Sequence, residues 1–252
     1  MVDIWLQAKG KNEIKPILAS IFRFVESQEK AATLNLVNNL HEQCVLEELL
    51  EHTKPLFPDN TDSLDYLLKT AFRYPPLKYG SRFGSTFEQS LFYGSLNLYT
   101  ALAEVAYYRF VYMLGPEIPF RTSISSEFSS FSVSIKSKLG VFLDQPPFTE
   151  FESILTSPTS YAETQLLGFN MRQDGVEAFR YISARDKEKG KNIALFSPKA
   201  FHADSPSNLT GWLCHTSVNE VSFLSKRDKD SQPTMFTQDY FWINGKFPSP
   251  ST

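Results

Sequence analysis

The chain is poor in the residues that staple or metallate a fold. Its 252 residues hold two cysteines, Cys44 and Cys214, far apart and neither in a CxxC pair. That pattern argues against a disulfide framework or a zinc site, and two unpaired thiols suit a reducing compartment. Four histidines, His41, His52, His202 and His215, fall at no metal-ligand spacing, so no metal is expected. Long apolar runs are also missing. The most apolar stretch, Ala101 to Leu114, is interrupted by Glu104 and Arg109, which argues against a membrane span. The opening Met1-Val2-Asp3-Ile4-Trp5 lacks the basic and apolar regions of a secretory signal, so a cytoplasmic protein without membrane contact is expected. Nor is there an excess of positive charge. The formal net charge is −3, and the charged runs Lys187 to Lys191 and Lys226 to Asp230 are short and mixed in sign. Direct binding of nucleic acid, which needs clustered Lys and Arg on one face, is not expected.

What is present is apolar and aromatic. Hydrophobic residues make up 42% of the chain, enough for a substantial core, and there are 22 Phe, 11 Tyr and 3 Trp. Most of these rings are assigned to packing, and a minority are available to stack on a flat ligand.

The chain divides by pattern. Residues 17–50 read as helical. Ile21, Phe22 and Val25 form one apolar set, and Leu36, Val37, Leu40, Cys44 and Leu49 form another at helical spacing. Pro55, Pro58 and Asp59-Asn60 end this region, so residues 1–60 are taken as a helical N-terminal extension and 61–252 as the main domain. Leu91-Phe92-Tyr93 suits a buried strand. Ser95 or Asn97 can cap a helix from Leu98 to Leu114. Residues 122–137 contain eight serines, yet Phe131, Val133 and Ile135 alternate with polar residues as in a half-buried strand. Gly140 to Leu143 extends that sheet. Residues 159–173 read as a helix ended by Gly175. Strands are expected at Ala178 to Ile182, Asn192 to Phe196, Trp212 to His215, Val221 to Leu224 and Tyr240 to Ile243. Short strands, few helices and no βα repeat indicate an α+β class.

One region concentrates chemistry. Arg73-Tyr74 precedes Pro75-Pro76, and then come Gly80-Ser81-Arg82-Phe83-Gly84, Tyr93-Gly94-Ser95 and Ala101-Leu102-Ala103-Glu104. Arg73 and Arg82 are forks suited to phosphate or carboxylate. Glu104, among small and apolar residues of a helix, is paired, exposed at a helix edge, or functional. No GxGxxG or P-loop is present.

These segments, with Leu91 to Ser95, Thr100 to Glu104, Gly175 to Arg185 and Gly190 to Phe196, make the stretch Arg73 to Phe196 resemble the RES-domain family. Arg82, Tyr93 and Glu104 follow one another at intervals of eleven positions. The resemblance covers about half of the chain. It implies an ADP-ribosyltransferase-like fold of small mixed β-sheets around an NAD cleft. It also implies NAD⁺ degradation, usually by the toxin of a toxin–antitoxin pair, with NAD⁺ as substrate and an antitoxin protein as partner. The family's functional residues fall on Arg82, Tyr93, Glu104 and Ser183, and an Arg-aromatic pair near the domain start falls on Arg73 and Tyr74.

For cleavage of the nicotinamide–ribose bond, Arg82, Tyr93 and Glu104 are the catalytic candidates, and Arg73, Tyr74 and Ser183 the NAD-binding ones. Nicotinamide leaves as a neutral molecule, so no general acid is needed. One carboxylate, Glu104, can steady the positive charge that develops on the ribose. Arg82, with Arg73, grips pyrophosphate or ribose. Tyr93 and Tyr74 offer ring faces, and Ser183 a hydrogen bond, with no His–Asp pattern to make it a nucleophile. Arg185 is read as a salt-bridge partner in preference to a second phosphate contact. The acceptor, water, phosphate or a macromolecule, is open, and a decayed binding module is the remaining alternative. The extension 1–60 is a candidate surface for self-association or partner contact, or a completion of the core.

Overall fold

The computed structural model describes residues 1–27, 36–59, 61–74, 76, 78–117, 120, 122–227 and 232–249. A short helix α1 (Ile4–Gln7), capped by Asp3, leads into strand β1 (Lys15–Glu26). After it come α2 (Leu40–Thr53), α3 (Tyr66–Lys69), β2 (Phe92–Ser95), α4 (Leu98–Leu114) and β3 (Ile124–Phe142). The remainder is α5 (Glu152–Leu155), α6 (Ala162–Gln173), β4 (Ala178–Ile182), β5 (Lys191–Leu195), β6 (Ser207–Thr216), β7 (Glu220–Ser225) and β8 (Thr234–Thr237).

The strands form one eight-stranded sheet in the order β1-β2-β5-β4-β3-β6-β7-β8, with a further pairing of β1 to β3. That pairing closes β1, β2, β5, β4 and β3 into a ring. All neighbours are antiparallel except β3 and β4, which run parallel at Val141↔Phe179. The 19 residues of β3 make this closure possible, because β1 lies along one edge while β6 and β4 share the other. The α+β class is therefore found, but as a single mixed sheet with one very long strand instead of several small sheets.

The N-terminal expectation needs correction. Residues 15–26 are a strand, registered against β3 from Lys15↔Gly140 to Glu26↔Phe128. The apolar set read as a helical stripe covers both faces of that strand. Ile17, Ala19, Ile21 and Val25 pack into one core cluster, and Phe22 and Phe24 into another. From Ile21 to Val25 the strand is covered on both faces and loses its alternation, whereas Leu18 and Ser20 stay exposed, and its β-branched and aromatic residues favour the extended backbone. Of the rest of the expected 17–50 helix, residues 28–35 lie outside the described part and α2 is helical. On α2, Leu40 and Leu49 are largely exposed.

Downstream, α4 has the expected bounds, with Asn97 as its cap: the Asn97 Oδ1 accepts from the Thr100 amide at 2.7 Å. Gly175, at φ +78°, terminates α6. Tyr240 to Ile243 is not a strand. Gln238–Phe241 forms a 3₁₀ turn, and the last strand is β8 just before it. Its rings Tyr240 and Phe241 pack at the foot of α4 against Phe236, Tyr107 and Phe110, so ring packing outweighs strand propensity there. Among the described residues no helix is long and apolar enough to cross a membrane.

Candidate active site

Helix α4 crosses β1, β2 and β7 and leaves one side over a cavity of about 650 Å³. Ala101, Glu104, Val105, Tyr108, Arg109 and Tyr112 line it, spaced at the three- and four-residue intervals of one helix face. Across from them lie residues of β1 (Phe22 to Phe24 and Glu26), β2 (Tyr93 to Ser95) and β3 (Ile124, Ser126, Phe128). The volume falls in the range of ordinary small-molecule sites.

Glu104 is held from two sides. Ser183 Oγ donates to its Oε1 at 2.6 Å, and Asn192 Nδ2 donates to the same oxygen at 2.7 Å. Asn192 is fixed in turn, since its Oδ1 accepts from Ser95 Oγ at 2.7 Å. Oε2 accepts no hydrogen bond from the described residues. The carboxylate thus has one oxygen occupied by the protein and one available. It is not paired with Arg109, which donates to Thr216 Oγ1 at 3.0 Å and Ser126 Oγ at 3.1 Å and lies 3.9 Å from Glu26. A second tie fixes the helix start to the same turn: Thr100 Oγ1 donates to Asp186 Oδ2 at 2.7 Å, and the backbone at Gly190 runs so close to Thr100 that a Cβ there would collide.

Two arginines line the same cavity as Glu104. Arg82 Nη1 donates to the Ser157 carbonyl at 2.6 Å, and its guanidinium lies over the Tyr161 ring, 4.8 Å from the centroid. Arg185 Nη2 donates to Tyr161 Oη and to the Pro158 carbonyl, both at 3.0 Å, and stacks 3.5 Å from the Tyr107 centroid. One tyrosine, Tyr161, therefore orients both cations. Neither meets a carboxylate among the described residues, so the salt-bridge reading of Arg185 is corrected. A buried cation satisfied only by neutral acceptors keeps its full charge for a ligand. Tyr93 lies at the back, where its hydroxyl is shared with Ser81 Oγ at 2.9 Å and accepts from the Phe83 amide at 3.4 Å. Burial pushes its phenol up to about 12, so it stays protonated at neutral pH. Burial raises the Tyr181 phenol well above its ordinary value too, with the Glu104 charge adding to the effect.

The structure thus brings Arg82, Tyr93, Glu104 and Ser183 together. It does not bring Arg73 and Tyr74 to them. Arg73 Nη1 pairs with Glu51 Oε1 at 2.6 Å, its Nε donates to the Pro55 carbonyl, and its guanidinium lies 4.1 Å from the Phe57 centroid. Those contacts tie α2 and the following loop to the body. Tyr74 is partly exposed and its carbonyl accepts from Ser90 Oγ at 2.8 Å. Neither lines the cavity. Sequence reading missed Asn192, although a lone amide in the buried strand Asn-Ile-Ala-Leu-Phe was a usable signal, because a buried amide needs a partner. It also missed the contribution of β1, which the helical reading hid. Among the described residues no group of His, Cys, Asp and Glu could hold a metal.

A family model described as RES domain matches residues 59–216, more than half of the chain. No curated protein matches it.

Proposed function

The chain belongs to the RES-domain family, and from that premise we propose that it breaks the nicotinamide–ribose bond of NAD⁺ as the toxin of a toxin–antitoxin pair. Family membership suggests an NAD-related, toxin–antitoxin-associated function. The particular reaction is our reading of the site, as is the ADP-ribosyltransferase-like character of the fold.

The observation that carries the proposal is Glu104, with Oε1 clamped by Ser183 and Asn192 and Oε2 without a donor among the described residues, at the wall of a cavity lined by Arg82 and Arg185. In the proposed reaction the ribose C1–N bond breaks and its electron pair goes to the departing nicotinamide, which becomes neutral. Positive charge grows on the ribose, and a fixed carboxylate beside it stabilises that charge without reorganising. An oxygen of water or phosphate then bonds to C1, and Glu104 Oε2 receives its proton. Arg82 and Arg185 offset the dinucleotide's pyrophosphate charge. Tyr93, held protonated, acts as a hydrogen-bonding wall and not as a base. The proposed setting is the cytoplasm, with an antitoxin protein covering the cavity until it is removed.

The test is NAD⁺ consumption by purified wild type and Glu104→Gln, with products resolved with and without phosphate. Wild type should release nicotinamide, and the variant should be slower by roughly 10²–10³, the order found when one preorganised electrostatic group is removed. ADP-ribose or its 1-phosphate would name the acceptor, and label left on macromolecules would instead indicate transfer. Intact NAD⁺ under all these conditions would overturn the proposal.

A further inference from the structure

The cavity extends well beyond Glu104. Along α4 the lining continues through Tyr108 and Arg109 to Tyr112, eight residues or roughly 12 Å further at the helical rise. Glu104, Ser183 and Asn192 therefore occupy one station, and a second set of residues occupies another.

The second station has its own composition. Arg109 sits at its centre, donating to Ser126 and Thr216, with its guanidinium 5.7 Å from the Phe128 centroid and 5.8 Å from that of Tyr112. Tyr112 is half exposed and stacks on Phe120 at 5.3 Å. Glu26, on β1, stands 3.9 Å from Arg109 with a carboxylate that is mostly exposed. Rings, one guanidinium plane and one accessible carboxylate converge there. Flat heterocycles stack on such rings and guanidinium planes, and a carboxylate is the group that accepts from the vicinal hydroxyls of a ribose.

We infer that the far end of the cavity, at Glu26, Arg109 and Tyr112, is a subsite for the purine nucleoside half of a dinucleotide. The inference rests on the reading of the cavity as an NAD⁺ site and adds what selects the whole dinucleotide over its nicotinamide half. The heterocycle lies against Tyr112 and the Arg109 plane, and the ribose diol donates to Glu26. The pyrophosphate then spans the interval back to Arg82 and Arg185. Glu26 lies outside the residues matched by the family model, so β1 supplies part of the specificity that the matched segment lacks.

Two measurements test this. The first is calorimetric binding of ADP, which carries the purine nucleoside and a diphosphate but no nicotinamide, to wild type, Tyr112→Ala, Tyr112→Phe and Glu26→Gln. The second is the ratio of kcat/KM for NAD⁺ to that for nicotinamide mononucleotide in the same proteins. Wild type should bind ADP. Tyr112→Ala and Glu26→Gln should each weaken ADP and lower the ratio by about tenfold, the order of one lost stacking partner at Tyr112 and of one lost hydrogen bond to a charged group at Glu26, and Tyr112→Phe should restore both to the wild-type level. Both side chains are exposed enough to be replaced without disturbing the core. Undiminished ADP binding and an unchanged ratio in Tyr112→Ala and Glu26→Gln would overturn the inference, as would a wild type that cleaves both nucleotides and binds no ADP, which would leave the proposed reaction standing. ADP binding that depends on Tyr112 in a protein that cleaves neither nucleotide would uphold the subsite and remove the proposed reaction.

Discussion

Ser183 Oγ donates its single proton to Glu104 Oε1 at 2.6 Å across 79 positions of sequence, while the same oxygen accepts from the amides of Arg185 and Asp186, both at 3.1 Å. Every hydrogen-bonding capacity of this hydroxyl is thus engaged by the protein. In the proposed reaction this makes Ser183 a positioning residue for the Glu104 carboxylate, with no hydrogen-bonding capacity left over for a ligand. Ser183→Ala should lower kcat by about 10–100-fold, the value of one hydrogen bond to a charged group, with KM for NAD⁺ nearly unchanged. Steady-state kinetics checks this, and a raised KM with unchanged kcat would make Ser183 a ligand contact instead.

Arg73 provides the contrasting case. Its partners are Glu51, the Pro55 carbonyl and the Phe57 ring, on α2 and on the loop that follows it. Arg73→Ala leaves Glu51 with Lys54 alone as its partner, at 2.9 Å, and removes a stacked contact from a buried position, so it should lower the melting temperature. Because Glu51 is half exposed, the ion-pair part of that loss is small, roughly 0–1 kcal/mol, and the larger part is packing. NAD⁺ affinity should not change. Affinity that falls while the melting temperature holds would return Arg73 to the site.

The different fates of these arginines show what the sequence could disclose. Arg82, Tyr93 and Glu104 belong to local patterns, a glycine-flanked loop, a short strand and a capped helix, and each element forms from its own residues. Their convergence needs only that the strand and helix be consecutive. Arg73 has the same side chain and a similar setting in sequence, and its destination depends on Glu51 and Phe57, whose approach no local pattern encodes. Strand β1 was misread for a related reason. From Ile21 to Val25 its apolar residues serve two core clusters, so both faces are covered there and the two-residue period disappears. The cavity wall that it builds, Phe22 to Glu26, disappeared with it.

Two phenols, that of Tyr107 and that of the half-buried Tyr93, link the fold to alkaline pH. Tyr107 is fully buried and donates to the Pro248 carbonyl at 2.8 Å. Burial pushes both Tyr107 and Tyr93 up to about 12 from an ordinary value of 10. A raised folded-state value means that the unfolded chain loses these protons first. The stability they contribute is therefore fully present below pH ~10 and is lost as the pH rises toward ~12. Equilibrium denaturation should show a midpoint that falls across this window. Tyr93→Phe and Tyr107→Phe should each flatten the fall, whatever their effect on stability at pH 7. A slope unaltered in both variants would show that other groups govern alkaline unfolding.

The strand assignment of Lys15–Glu26 makes a sharper demand on two neighbouring residues. In a helix Leu18 and Ile21 would share a face, being three positions apart, and truncating either would cost similarly. In β1 they point to opposite sides. Ile21 is wholly buried beside Phe92, Phe131 and Ile193, whereas Leu18 is 72% exposed. Ile21→Ala should then destabilise by about 2–5 kcal/mol through lost burial and a residual cavity, and Leu18→Ala by no more than about 0.5 kcal/mol. The same pairing predicts the outcome of removing residues 1–27. Without β1 the ring β1-β2-β5-β4-β3 cannot close, the edge of β3 is left open, and one wall of the cavity is lost. The truncated chain should aggregate or elute as an expanded species, and it should not bind ADP. A truncated protein that is monodisperse, cooperative in melting and competent in ADP binding would show that β1 is dispensable to fold and site alike.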